Sequence, residues 1–165
     1  MTHTGFSGFE LVASGSLAEV FAACRDIPGA LIYEDRSGQV IDIDPRYPPL
    51  VDDAAKGPGR PKLGVVAREV TLLPRHWDWL ASQPGGASVA LRRLVEAAQK
   101  SPEGQRALAR QAACRFATAI AGDAPGYEEA MRALFAGRGE DFLATIEAWP
   151  PGVRAQLEKM TAAAF

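Results

Sequence analysis

Arg60, Lys62, Arg68, Thr71, Ser88 and Arg92 are the residues of this chain whose types and spacing suit a chemistry, and that chemistry is the gripping of a polyanion. Guanidinium and ammonium groups neutralise phosphates and release their counterions, and the hydroxyls of Thr and Ser add hydrogen bonds. The distribution of charge agrees. Residues 1–55 hold 3 basic and 9 acidic side chains, residues 56–100 hold 8 and 3, and residues 101–165 hold 7 and 8. A net charge of −2 therefore hides a basic middle. That middle suits a nucleic acid, or it balances the acidic N-terminal part within one fold or across a dimer.

No comparable set points to catalysis. His3 and His76 are the two histidines. His3 falls in a terminus expected to fray, and on a helix His76 and Asp78 point apart. No serine or cysteine carries a local signature of activation. Gly57 and Gly59 sit among prolines, so they do not form a phosphate loop after a strand. Glu34, Asp35, Asp42 and Asp44 could suggest a cation site, but Asp42 and Asp44 alternate with Ile41 and Ile43 as the wet face of a half-buried strand. Cys24 and Cys114 lie on predicted helices among small apolar residues, as free thiols in a reducing cytoplasm would, and two thiols do not make a zinc site. The sequence thus predicts no enzyme, no cofactor and no metal. There is no run of about 18 apolar residues to span a membrane, and Met1–Ser7 lacks the basic start and apolar stretch of a secretion signal.

The elements that would position the basic residues can be read from periodicity and stop signals. At 165 residues and 47% hydrophobic, the chain can bury one sizeable core. The expected class is α+β: a β-α-β-β unit over 1–44, a Pro/Gly-rich basic linker over 45–63, a strand-helix-helix over 64–100 and a helical C-terminal region over 101–165. In the first part, residues 9–13 read as a strand. Ser16 and Glu19 form a capping box before a stripe of Leu17, Val20, Phe21 and Cys24. Residues 30–33 and 39–44 flank a turn at Asp35-Arg36-Ser37-Gly38. In the middle, residues 65–73 read as a strand and Pro74 takes the first helical position. Pro84-Gly85-Gly86 breaks that helix, and Ser88 caps a second one with a stripe of Leu91, Leu94, Val95 and Ala98. Trp77 reads as core, which leaves Trp79 to find another surface. Further on, Leu108, Ala112, Phe116 and Ile120 mark a helix closed by Gly122. Three shorter helices follow, around Tyr127–Phe135, Phe142–Trp149 and Val153–Met160.

The run from Arg68 to Ala98, with its strand, Leu-Pro, helix, Gly-x-Ser and Leu-Arg-Arg-Leu-Val, resembles ribbon-helix-helix DNA-binding proteins. The resemblance implies a homodimer whose paired strands enter the major groove. It also implies that the amides of Gly86, Ala87 and Ser88 point at a phosphate. Gly59-Arg60-Pro61-Lys62 resembles the core of an AT-hook, with Pro58 where that motif has its first arginine. It would be a minor-groove arm or simply a basic linker. Over nearly its full length the chain is similar to an uncharacterised bacterial family, number 2239 among the domains of unknown function. The runs Gly59–Thr71, His76-Trp77 and Ala121-Gly122-Asp123 carry that match, which implies no activity.

Two readings stay open. In one, the chain is a homodimeric DNA-binding regulator, with Arg68 and Thr71 facing DNA, Arg60 and Lys62 as a basic arm, and Ser88 and Arg92 on phosphates. Strand alternation places Arg68, Val70 and Leu72 on one face and Glu69, Thr71 and Leu73 on the other. Either choice offers few hydrogen bonds to base edges. In the other reading, the central strand pairs with the N-terminal hairpin of its own chain, and the protein is a non-enzymatic interaction module.

Overall fold

The computed structural model describes residues 2–42, 44, 64 and 66–165. Strand β1 (His3–Ser7) bonds to both β2 (Glu10–Gly15) and β3 (Leu31–Glu34), and the short β4 (Val40–Ile41) lies outside β3. The sheet is antiparallel in the order β2-β1-β3-β4. The terminus expected to fray is thus an inner strand. His3 opposes Gly15 on one side and Glu34 on the other, and Thr4 and Phe6 are fully enclosed. The N-terminal part is therefore β-β-α-β-β rather than β-α-β-β.

Helix α1 (Leu17–Cys24) begins at the expected capping box. Ser16 N–H donates to the Glu19 carboxylate at 2.8 Å, and Glu19 N–H donates to Ser16 Oγ. The helix lays Val20, Phe21 and Cys24 over Ile32 on one face of the sheet. Gly5 permits that approach, because a Cβ there would collide with the Cys24 sulfur. The opposite face carries Phe6 and Tyr33. Tyr33 meets Phe116 of α4 (Pro102–Ala121) edge-on, with ring centroids 4.9 Å apart at 76°.

The remaining helices follow the expected stop signals: α5 (Tyr127–Phe135), α6 (Gly139–Ile146) and α7 (Pro151–Thr161). Helix α4 packs on α7 and α5 on α6, and Leu134, Phe142, Ile146, Val153 and Leu157 close the core with Phe116. Trp149 ends α6's loop with its indole N–H bonded to the Pro125 carbonyl at 2.8 Å, so its polar atom is satisfied where its rings are buried. Asp35, at the β3–β4 turn, reaches α7. Its Oδ1 accepts from Thr4 Oγ1 (2.6 Å) and Gln156 Nε2 (3.2 Å), and its Oδ2 from Lys159 Nζ (2.8 Å). It anchors the expected turn to α7. Among the described residues no helix is long and apolar enough to cross a membrane.

The chain divides into two compact units, Met1–Val51 with Pro102–Phe165, and Asp52–Ser101. The second contains α2 (Pro74–Ser82) and α3 (Gly86–Lys100).

Candidate nucleic-acid interface

Arg68 and Thr71 lie on residues 66–73, a segment in neither helix nor strand, whose side chains are exposed except for half-buried Leu72. The strand expected at 65–73 is not formed. Among the described residues the segment joins no ladder, and the sheet ends at β2 and β4. A strand exists only where a neighbour takes its N–H and C=O groups, and none does so among the described residues.

The segment runs straight into α2, with Leu73 at the N-cap and Pro74 at the first helical position, as expected. The far end of α2 is tied off at the Trp79 carbonyl, which accepts from Ser82 Oγ (2.7 Å) and Gln83 Nε2 (3.3 Å). Gly85 then turns the chain with φ 84° and stands at the N-cap of α3. Only glycine adopts that conformation without strain. The helix therefore starts ahead of the expected cap. Ser88 sits in its first turn, exposed and making no capping bond. Of the three amides expected to face a phosphate, that of Gly86 bonds to the Gln83 carbonyl at 2.9 Å. Those of Ala87 and Ser88 remain at the positive end of the helix dipole.

Helices α2 and α3 meet through Leu80 and Ala90, 3% and 2% exposed. At 9 and 15 residues the helices are about 13 and 22 Å long, so the second half of α3 outruns its neighbour. Leu94 and Val95 of its apolar stripe consequently stay 49% and 52% exposed. Trp77, expected in the core, is 39% exposed, and Trp79 is 52% exposed.

The described arginines of this unit are left without acids. Arg68, Arg75, Arg92 and Arg93 are exposed, and among the described residues none of them forms an ion pair. Arg25, Arg106, Arg132, Arg138 and Arg154 of the larger unit each hold a carboxylate. Arg75 belongs with the unpaired set, although Asp78 stands three residues on, a spacing that can pair on a helix. Arg60 and Lys62 lie outside the described residues. The arrangement can take up phosphate charge. It offers little for reading bases, because Val70 and Leu72 alternate with the polar residues of the segment.

Sheet, helical core and basic helical pair define an α+β protein with a second, smaller unit. Residues 2–161 match the family described as an uncharacterized protein conserved in bacteria (DUF2239), and the chain belongs to that family. No curated protein and no solved structure matches the chain.

Proposed function

We propose that this chain is a homodimeric DNA-binding protein acting in transcription regulation, with its smaller unit as the nucleic-acid element. One observation carries this reading: among the described residues, the segment 66–73 joins no ladder of its own chain, is exposed except for half-buried Leu72, and leads directly into α2 and α3. A second copy of the segment would satisfy the backbone groups as an antiparallel ribbon about a two-fold axis. Arg68 and Thr71 would then face the duplex, Arg92 and the first turn of α3 at Ser88 would hold phosphates, and Arg60 and Lys62 would form the arm that the sequence suggests. That Arg68, Arg75, Arg92 and Arg93 have no acid partner among the described residues supports a polyanion over internal charge balance. Both described cysteines are free, which fits a cytoplasmic protein. No cofactor or metal is needed for such a role.

Anisotropy of a labelled DNA duplex over a range of salt checks the proposal. Affinity is expected to fall steeply and linearly on logarithmic axes. Arg68→Ala and Arg60→Ala should each weaken binding and reduce the slope by about 1. Affinity indifferent to salt and to both substitutions would remove the DNA reading.

A further inference from the structure

A pocket of about 660 Å³ lies in the larger unit, between the end of α1 and the β3–β4 edge of the sheet. Its floor is Phe21, Cys24 and Ile32, all buried. Leu31 and Val40 line it and are still 39% and 43% exposed. A molecule seated there would remove that apolar surface from water, and the volume is in the range of small-ligand sites.

The charge around this space is one-sided. Arg25 and Asp26 neutralise each other at 3.0 Å. Asp42, also on the lining, has no partner among the described residues. Arg25 is also the C-cap of α1, and with its charge taken up by Asp26 the unbalanced charge on the lining is that of Asp42. An anion would meet Asp42, whereas a neutral apolar molecule would leave it uncompensated.

We propose that this pocket binds a small organic cation, with an apolar body on Phe21, Cys24 and Ile32 and one ammonium group at Asp42. The site belongs to the larger unit and stands whether or not the smaller unit binds DNA.

The probe is 2-phenylethylamine, compared with the neutral 2-phenylethanol and the anionic phenylacetate, titrated into the labelled full chain and followed by amide chemical shifts. The amine is expected to shift Cys24, Ile32 and Asp42 and to bind about fivefold more tightly than the alcohol, the effect of one partly exposed ion pair. Phenylacetate should bind most weakly. Asp42→Asn, an exposed and fold-neutral change, should bring the amine down to the level of the alcohol, and Asp42→Lys should reverse the order of amine and acid. Equal binding of amine and alcohol, amine affinity unmoved by Asp42→Asn, or the absence of shifts at these residues would each overturn the proposal.

Discussion

Asp35 is bonded to Thr4, Gln156 and Lys159, and its surroundings fix how it titrates. Burial alone would push its carboxyl up. Hydrogen bonds from Lys159, Thr4 and Thr2, with the Lys159 charge, outweigh burial and hold it below its ordinary value. The unfolded chain therefore takes up this proton first. The stability that Asp35 contributes is complete above the unfolded value, about 3.9, and is lost as pH falls through the lower folded value. Asp35→Asn should cost about 2 kcal/mol at neutral pH, since it weakens charge-assisted bonds. It should also flatten the dependence of stability on pH below about 5. Urea unfolding of both proteins across that range measures this, and curves that fall in parallel would refute it. Tyr33 is the opposite case. Its hydroxyl is buried without a partner, and burial pushes its pKa to about 12. Tyr33→Phe removes a polar group that gains nothing from the fold, so the melting temperature should hold or rise, by no more than about 1 kcal/mol in stability.

Turns and helix starts are decided by single positions whose reasons lie elsewhere in the chain. Gly38 has φ 68°, and a Cβ there would strike the Ala112 carbonyl of α4, so the β3–β4 turn sits against that helix only because the residue is glycine. Gly38→Ala is expected to cost about 2–3 kcal/mol in thermal or denaturant unfolding, and a change under 0.5 kcal/mol would contradict the packing. The same dependence on distant neighbours explains what the sequence discloses. Helices α4 to α7 are legible because Phe116, Leu134, Phe142 and Leu157 recur at helical spacing between glycine and proline stops. α1 is legible from the Ser16–Glu19 capping box and the stripe of Leu17, Val20, Phe21 and Cys24 that follows it. β1 is not: His3–Ser7 contains one large apolar residue, Phe6, and Gly5 looks like a breaker until Cys24 is seen against it. The start of α3 is displaced because Gly85 and Ser88 both qualify as caps, and the left-handed turn selects glycine. In the candidate site, Arg68, Thr71 and Arg92 are exposed as their side chains imply. Whether residues 66–73 are a strand is a property of what they pair with, and periodicity does not contain it.

The two units of the molecule enclose themselves to very different degrees. The larger one closes a continuous core from Phe6 and Tyr33 to Leu157 and Ala164. In the smaller one, the described residues bury only Leu80 and Ala90 among their hydrophobic side chains, while Trp77, Leu94 and Val95 remain in water. They are 39–52% exposed, so burying what remains of each would contribute about 1 kcal/mol, and a second copy meeting along the 66–73 segment could provide that burial twice over. Sedimentation of the full chain should therefore show a dimer. The double substitution Leu94→Asp, Val95→Asp should give a monomer with the larger unit's unfolding transition unchanged, because neither side chain takes part in its core. DNA affinity should fall in the same variant, though it retains Arg68, Arg75, Arg92 and Arg93, since a ribbon reaching a groove needs both copies. A wild-type monomer that still binds DNA with steep salt dependence would separate the two ideas: the arginines would keep their role, and the paired ribbon would be lost.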